Sequence, residues 1–213
     1  MESMADHWNK QAEGHDEKFI GELGMTAFYD EVERQLFKCP CKSNILVLGC
    51  GTGLEIERIK FKANVTAIDI SEKMLEELGK KELYSGISLN IICGSFLEID
   101  FENNAYDIVL SCLAMHHFDE DQKTLLYEKI YKSLSKRGIF LNGDTMEETR
   151  EGEIRRFEDA KKIYDEKNLS FGSLHIDVPF CFEHDEKILK AVGFRDMIIE
   201  REWDTVKLYR AIK

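Results

Sequence analysis

The stretch NILVLGCGTGLEIE, residues 44–57, decides the fold of this 213-residue chain. Four apolar residues run directly into three glycines at alternate positions, Gly49, Gly51 and Gly53. An apolar run that enters a glycine-rich turn and then a helical pattern is typical of the first unit of a parallel βαβ sheet. Such a turn leaves backbone N–H groups unpaired, and glycine lets the backbone approach a ligand closely. The stretch therefore predicts a ligand-binding turn at the edge of a sheet.

Apolar runs of strand length continue along the chain and alternate with segments of helical periodicity, which indicates a mostly parallel sheet. The predicted strands cover residues 45–49, 65–69, 88–93, 106–112 and 138–144, followed by a terminal pair at 196–203 and 206–213. Three helices between them are predicted by Ile56, Ile59 and Ala63, by Met74, Leu75 and Leu78 after an N-cap at Ser71, and by Leu126, Ile130 and Leu134 after the acidic residues 119–121. Further helices are predicted at residues 26–38, around Ile154, Phe157 and Tyr164, and in residues 184–193, ending at Gly193.

Composition narrows the class of partner. The chain is 43% hydrophobic and 33% charged, as expected for a globular domain, and its formal net charge is -12. Lysine and arginine are scattered, which argues against nucleic acid as the main partner, because binding to phosphates needs clustered positive charge. The N-terminus carries no basic segment followed by an apolar one, and no apolar run is long enough to cross a membrane. We expect a cytoplasmic protein with a small-molecule or protein partner.

Cysteine and histidine spacings predict neither disulfides nor a metal site. Cys39 and Cys41 are close in sequence, but no CxxC pair accompanies them, and Cys50, Cys93 and Cys112 lie in or beside predicted strands. We interpret these residues, together with Cys181, as reduced structural thiols. The spacing of His175, Asp177 and His184 matches no closed metal site, so no metal ligand is predicted.

The glycine spacing and one acidic residue specify the ligand further. The dinucleotide fingerprint is GxGxxG, whereas this chain has GxGxG with Leu54 at the position of the last glycine, and no Lys-Ser or Lys-Thr follows as in a P-loop. Asp69 lies 20 residues beyond Gly49 at the end of the next predicted strand, where a carboxylate can accept hydrogen bonds from both ribose hydroxyls. The pattern favours a nucleoside with a non-phosphate tail over a purely structural turn with a solvated acid.

Five segments in this order resemble the motif set of class I S-adenosylmethionine-dependent methyltransferases, particularly the small bacterial enzymes that act on small molecules. They are VLGCGTG, AIDIS, CGSFLEIDF, YDIVLSCLAMHHF and SLSKRGIFLNGD. The resemblance covers about residues 40–145 closely and the C-terminal LKAVGF with the last strand pair more loosely.

The resemblance implies a role for each matching position. Gly49, Cys50 and Gly51 would lie beneath the methionine part of S-adenosylmethionine, and Gly53 would open the following helix. Asp69 would bind the ribose, and Ile70 and Met74 would pack against the adenine. Gly94, Ser95 and Phe96 match the segment that reads the adenine edge, and Cys112 would lie next to the methyl-transfer centre. The product of the cofactor would be S-adenosylhomocysteine.

Two positions depart from the family pattern. The residue two before the first glycine is usually acidic, but here it is Val47, and the adenine-reading residue is usually Asp, but here it is Ser95. A serine hydroxyl can still accept a hydrogen bond. Each departure removes a charge-assisted contact worth about 1.5–3 kcal/mol and leaves the ribose contact of Asp69 in place.

The reactive end of the site is predicted to follow the fourth strand. Methyl transfer from a sulfonium is an in-line displacement that depends on positioning and water exclusion, so no catalytic acid is required. His116 and His117 are the candidates for a base if the acceptor must lose a proton, although one of them could simply pack or cap the next helix. The Asn/Asp-Pro-Pro-Tyr type of motif is absent after the fourth strand, which argues against nucleic-acid bases and protein glutamine as acceptors.

The predicted fold is a single Rossmann-like α/β domain with a seven-stranded, mostly parallel sheet, helices on both faces, an antiparallel strand 7 and an N-terminal helical cap. We divide it into a cap (1–38), a cofactor-binding core (39–145), a cap insertion (146–180) and a C-terminal helix with a strand pair (181–213). The caps would cover the acceptor with aromatic residues drawn from Trp8, Phe19, Phe157, Tyr164, Phe171 and Phe180.

Three functions remain open at this point. The first is methyl transfer to an O, N or S atom of a small molecule. The second is binding of S-adenosylmethionine or S-adenosylhomocysteine without turnover, as a sensor or an inactive partner subunit. The third is a nicotinamide-dependent oxidoreductase, which the GxGxG spacing disfavours.

Overall fold

A computed structural model describes residues 2–38 and 43–213, and its centre is one sheet of seven strands. The strands are β1 (Ser43–Leu48), β2 (Ala63–Asp69), β3 (Ile87–Cys93), β4 (Tyr106–Cys112), β5 (Leu134–Thr145), β6 (Arg195–Trp203) and β7 (Val206–Ile212). Their order across the sheet is β3-β2-β1-β4-β5-β7-β6. β7 runs antiparallel to both β5 and β6, and the other neighbouring pairs are parallel. The predicted sheet with an antiparallel last strand is confirmed.

Helices cover both faces of this sheet. They are α1 (Met4–Gln11), α2 (Thr26–Phe37), α3 (Glu72–Lys80), α4 (Glu120–Ser133), α5 (Arg150–Lys167) and α6 (Phe182–Val192). On one face, α2 and α3 bury apolar residues such as Val32 and Leu78 against β1 and β2. On the other, α4 and α6 bury residues such as Ile130 and Leu189. None of the described helices combines the length and the apolar character that crossing a membrane requires.

Side-chain caps begin two of the predicted helices, α3 and α4. The Ser71 hydroxyl accepts a hydrogen bond from the Met74 N–H (3.1 Å), and this contact starts α3 as the sequence predicts. Asp119 accepts from the Gln122 N–H, while the Gln122 side chain accepts from the Asp119 N–H, so α4 begins with a capping box. Leu134, predicted as part of this helix, instead begins β5.

One predicted helix is wrong. Only a single 3₁₀ turn, Ile56–Arg58, follows the glycine loop, and Ala63 already belongs to β2. Ile56 and Ile59 are fully buried, which explains their helix-like spacing. The chain must return along the roughly 20 Å length of β1 within residues 54–62, and a nine-residue helix would span only about 13.5 Å. The segment is therefore a turn with a single 3₁₀ turn followed by irregular chain, and Gly53 does not open a helix.

Two cap segments, defined as residues 2–25 and 146–180, lie over the C-terminal edge of the parallel strands. Asn9 of α1 accepts hydrogen bonds from the Ser71 hydroxyl (2.8 Å) and the Lys73 N–H (3.1 Å). The caps also meet each other, since the Met4 N–H donates to the Ser173 carbonyl (3.2 Å) and the His7 ring stacks on His175 with centroids 4.1 Å apart. No residue of α1 is fully buried, so contacts at its surface hold it in place.

The described cysteines are unpaired. Cys50, Cys112 and Cys181 are buried free thiols and Cys93 is an exposed one, whereas Cys39 and Cys41 lie outside the described residues. Burial raises the pKa of Cys50 and Cys112 well above the ordinary thiol value. These two groups are therefore neutral thiols, in agreement with a structural interpretation.

Candidate functional site

A cavity of about 270 Å³ opens where β1, β2 and β4 end. Ten of the thirteen predicted site residues line it, namely Gly49, Cys50, Gly51, Asp69, Ile70, Met74, Ser95, Phe96, Cys112 and His117. Gly53, Gly94 and His116 do not line it. The carboxyl ends of parallel strands converge at one edge of the sheet, which explains how residues so distant in sequence meet here.

The glycine loop presents bare backbone to this cavity. Gly49, Gly51 and Gly53 have φ angles of +69°, +47° and +83°, a region that other residues rarely adopt. A Cβ at Gly51 would meet no atom within 4 Å, so this residue faces open space. At Gly53 a Cβ would lie 2.4 Å from Leu78 Cδ1, which shows that this glycine allows close packing against α3 instead.

Asp69 at the end of β2 is fixed by the backbone on both sides. Its Oδ2 accepts a hydrogen bond from the Gly51 N–H (2.7 Å), and its Oδ1 accepts one from the Ser71 N–H (2.8 Å). Burial raises its pKa, although these two N–H groups oppose the shift. Each carboxylate oxygen keeps lone-pair capacity for a further donor, as the binding of a ribose diol requires.

The loop between β3 and β4 also lines the first cavity, and a lysine that does not line the cavity holds this loop in place. Lys129 Nζ on α4 donates to the carbonyl oxygens of Phe96 (2.9 Å), Leu97 (2.8 Å) and Ile99 (2.7 Å). The Ser95 hydroxyl accepts from the Leu97 N–H (3.3 Å). Gly94 does not line the cavity, and its N–H donates a hydrogen bond to the Asp69 carbonyl (2.8 Å).

A buried acid that the sequence analysis missed also faces the cavity. Val47, at the position where the resemblance expects an acid, is fully buried in the apolar core. Glu55, just past the glycine loop, is 3% exposed and lines the cavity, and its Oε1 has no hydrogen-bond partner among the described residues. Burial raises the pKa of Glu55 to about 8. A carboxylate is thus available close to the loop although none precedes it on β1.

A second cavity of about 600 Å³ adjoins the first and is rich in imidazoles. The two cavities share wall residues Trp8, His15, Phe19 and Leu113. His7, His116, His175 and Asp177 line the second one. Five of the six histidines of the chain therefore line one cavity or the other, and His184 is the exception.

His116 and His117, which follow β4, differ sharply in environment. The His116 Nδ1 lies 2.6 Å from Asp144 Oδ1, a buried acid in β5. Burial opposes charge on His116, but Asp144 and Asp177 outweigh it and raise its pKa. Burial and the neighbouring His116 lower the pKa of His117 to about 4. His117 is therefore a neutral ring at pH 7.

Asp177 brings the histidines of the two cavities together. Its Oδ1 lies 3.4 Å from His117 Nδ1, 3.6 Å from His116 Nε2 and 3.8 Å from His175 Nε2. The neighbouring imidazole of His117 and the other two rings keep its pKa below the usual range despite partial burial. His184, which the sequence analysis grouped with His175 and Asp177, lies elsewhere, with its Nδ1 2.7 Å from Glu153 Oε1.

Half of the predicted cap aromatics reach the cavities. Trp8 and Phe19 line both, and Phe171 lines the first. Tyr164 instead belongs to a separate small core with Val178, and Phe180 is buried in the main core. Phe157 stacks on Phe171 at a centroid distance of 5.3 Å. Three of the six rings therefore line a cavity, and the other three pack against other side chains of the protein.

The fold is that of a Rossmann-like α/β domain, and its first cavity lies at the carboxyl ends of the parallel strands, where such domains bind ligands. Residues 45–138 match the model of a family described as "Methyltransferase domain". The match covers just under half of the chain and supports a class I S-adenosylmethionine-dependent methyltransferase, a class whose cofactor is S-adenosylmethionine.

Curated relatives of this class include enzymes with different reactions. A malonyl-[acyl-carrier protein] O-methyltransferase from Priestia megaterium is 37% identical over 100 residues, or 46% of this chain and 35% of that protein. A carboxy-S-adenosyl-L-methionine synthase from Nautilia profundicola is 23% identical over 191 residues, or 81% of this chain and 78% of that protein. The chain thus spans about a third of the first relative's length.

Solved structures extend the likeness in fold over the whole chain. The DhpI complex with SAH superposes with a TM-score of 0.72 at 17% sequence identity, covering 100% of this chain and 95% of that chain. At this identity the likeness concerns the fold.

Proposed function

We propose that this chain transfers the methyl group of S-adenosylmethionine to an O, N or S atom of a small molecule. The observation that carries the proposal is the first cavity, where the open backbone of Gly51 and the fixed carboxylate of Asp69 meet. This pair suits a nucleoside whose tail carries no phosphate, because neither a lysine nor an arginine lines this cavity among the described residues.

Glu55 supplies the charge partner for the amino-acid end of the cofactor. Glu55 lines the same cavity, and its Oε1 has no hydrogen-bond partner among the described residues; S-adenosylmethionine carries an ammonium group at the end opposite the adenine. A buried carboxylate is stabilised when a cation pairs with it, and a free one is costly. Glu55 therefore takes the role that the acid missing at Val47 would have.

The second cavity is the proposed acceptor site, and the histidine pair after β4 is its reactive end. His117 lines the first cavity and His116 the second, so the pair lies at their junction. An acceptor in the second cavity can approach the methyl group there, in line with the sulfonium. One relative is a malonyl-[acyl-carrier protein] O-methyltransferase, which supports oxygen as one of the proposed acceptor atoms.

Calorimetric titration with S-adenosylmethionine and S-adenosylhomocysteine tests the binding part of the proposal. We expect both to bind, and Asp69→Ala to weaken binding about 30-fold or more, because it removes charge-assisted hydrogen bonds of roughly 1.5–3 kcal/mol each. Asp159→Ala is the matched control, since Asp159 is 74% exposed on α5 and should leave binding unchanged. Absence of heat with both ligands would refute the proposal.

Transfer is tested by the formation of S-adenosylhomocysteine in the presence of a panel of alcohols, carboxylic acids, amines and thiols. We expect one chemical class to give turnover that Asp69→Ala abolishes at low cofactor concentration. Tight cofactor binding without turnover across the whole panel would instead support the rival function, a sensor or inactive partner subunit.

A further inference from the structure

Four polar side chains from two distant segments converge at the junction of the two cavities. His116 and His117 follow β4, while His175 and Asp177 lie in the insertion between α5 and α6. The three ring nitrogens nearest to Asp177 Oδ1 lie 3.4, 3.6 and 3.8 Å from it. The backbone fixes this meeting, because the Val178 N–H donates a hydrogen bond of 2.8 Å to the His116 carbonyl.

The His117 ring lacks a hydrogen-bond partner among the described residues. It is 6% exposed, and neither ring nitrogen makes a hydrogen bond to any described residue, although Asp177 Oδ1 lies 3.4 Å from Nδ1. Leaving a buried polar group unsatisfied costs roughly 1–3 kcal/mol. The ring lines the first cavity next to its junction with the second, so a ligand at that junction can supply the missing contact.

His116 is oriented as a metal-binding histidine is. Its Nδ1 bonds to the buried carboxylate of Asp144 at 2.6 Å, which leaves Nε2 directed towards Asp177. Histidines that bind metals commonly donate their other ring N–H to a carboxylate in this way, which fixes the tautomer and the ring.

From this geometry we infer that His116, His117 and Asp177 bind a divalent transition-metal ion at the junction of the two cavities. Their donor atoms all lie within 4.8 Å of one another. Ligand atoms about 2.0–2.1 Å from a tetrahedral ion are roughly 3.3 Å apart, so the observed 3.4 and 3.6 Å need only small side-chain shifts. Two imidazoles and one carboxylate suit zinc, iron, cobalt or nickel better than magnesium.

Three protein ligands leave coordination positions open, as in catalytic rather than structural sites. Together with the proposed methyl transfer, the inference assigns these positions to the acceptor heteroatom. An ion lowers the pKa of a bound O–H group, whose proton passes to solvent. The oxygen then attacks the methyl carbon, the C–S bond breaks and its electron pair stays on sulfur.

The test is a Co²⁺ titration of the untagged full chain after treatment with EDTA, followed by visible absorption and by competition with Zn²⁺. We expect one ion per chain and d–d bands of a low-coordinate site, and at least tenfold weaker binding in both Asp177→Asn and His117→Gln. His184→Gln is the control, because His184 lies outside both cavities and should not change Co²⁺ affinity.

Two outcomes would overturn the inference: no stoichiometric Co²⁺ binding, or equal Co²⁺ affinity in wild type and Asp177→Asn. Asp177 is 48% exposed, so its variant is expected to fold, and retained S-adenosylhomocysteine binding verifies this. The titration contains neither cofactor nor acceptor. Metal binding without methyl transfer would therefore contradict the proposed function alone, and methyl transfer without metal binding would contradict this inference alone.

Discussion

At the scale of single residues, Glu55 couples cofactor binding to protonation. Its pKa of about 8 results from burial, with Asp69 and Asp16 acting in the same direction and Lys81 opposing. In the free protein at pH 7 the side chain is therefore mostly protonated. An ammonium group beside it stabilises the carboxylate form, so binding of the cofactor must expel this proton.

We predict that cofactor binding releases close to one proton at pH 7, and that affinity rises between pH 6 and 7.5 as Glu55 becomes easier to deprotonate. Above this range the cofactor's own α-amino group, with a pKa of about 8, begins to lose its charge. Glu55→Gln should abolish the proton release and weaken binding about tenfold at pH 7.5. Calorimetry in two buffers of different ionisation enthalpy measures the release directly, and an unchanged release in Glu55→Gln would contradict the assignment.

The sequence predicted the residues whose roles depend on short spacings. Asp69 and the glycine loop lie on consecutive elements of one βαβ unit, so their separation along the chain reports their separation in space. Glu55 carried no such signal, because it follows the loop where the pattern predicted a helix. Asp144 and Asp177 were also missed as partners of His116, because only the sheet and the cap insertion bring them together.

Among the helices, α4 holds the loop between β3 and β4 in place through Lys129. Its ammonium group holds three carbonyl oxygens of the segment that carries Ser95 and Phe96, and burial lowers its pKa. Lysine acts here at a distance from the cavity, as a positioning residue. The loop between β3 and β4 contains no helix, so this contact fixes its shape.

We predict that Lys129→Met weakens cofactor binding by about tenfold and increases hydrogen exchange in residues 94–101, because three charge-assisted hydrogen bonds are lost. Lys132→Met on the same helix is the control, since among the described residues its ammonium pairs only with the exposed Glu128, at 3.2 Å. Equal cofactor affinity for both variants would show that the loop holds its shape without Lys129.

The buried carboxylate of Asp185 on α6 joins this helix to α4 and β7, on the face of the sheet that α4 and α6 cover. Asp185 accepts from the Tyr127 hydroxyl (2.7 Å), the Tyr209 hydroxyl (2.6 Å) and Lys123 Nζ (3.2 Å), and Lys123 is only 1% exposed. We predict that Asp185→Asn lowers the free energy of unfolding by about 3–5 kcal/mol, because it leaves a buried ammonium uncompensated.

Thermal unfolding followed by circular dichroism measures this loss, which corresponds to a Tm decrease of roughly 10 °C for a domain of this size. The double variant Lys123→Met/Asp185→Leu should regain part of the stability, since it removes the isolated charge as well. A Tm for Asp185→Asn within about 2 °C of wild type would contradict the role of the cluster.

Helices and strands were predicted well where apolar spacing coincided with enough chain length. Phe28, Val32 and Leu36 are all buried on α2, and Gly193 ends α6. The spacing of Ile56, Ile59 and Ala63 was equally helical, but the short connection to β2 could not return across the sheet as a helix. Apolar periodicity indicates which side chains are buried. The distance that a segment must cover between two strands decides whether it can be a helix.

At the scale of the whole molecule, the two cap segments close over both cavities. The first cavity is lined by Met4 and Trp8 of one cap and by residues 171–173 of the other. The two caps also contact each other through Met4 and Ser173. Hydrogen bonds hold the caps to the core, among them those from the Ser71 hydroxyl to Asn9, from the Thr52 hydroxyl to Asp16 and from the Val178 N–H to the His116 carbonyl. A ligand in the cavity would add contacts that the free protein lacks.

We predict that S-adenosylhomocysteine slows hydrogen exchange in residues 2–25 and 168–178 several-fold, while β4 and β5, already in the core, change little. Mass-spectrometric exchange with and without ligand measures this, with Asp69→Ala at the same ligand concentration as the control. Protection restricted to the glycine loop would show that the caps do not respond to the cofactor.

The wall shared by the two cavities bears on the timing of a catalytic cycle. Trp8, His15 and Phe19 border both spaces, and all three come from the same N-terminal cap. In the proposed reaction, a movement of this cap that opens one cavity to a substrate or product would open the other as well. A slow step in that movement would set steady-state turnover, which would fall as solvent viscosity rises and would not respond to isotopic substitution of the methyl group.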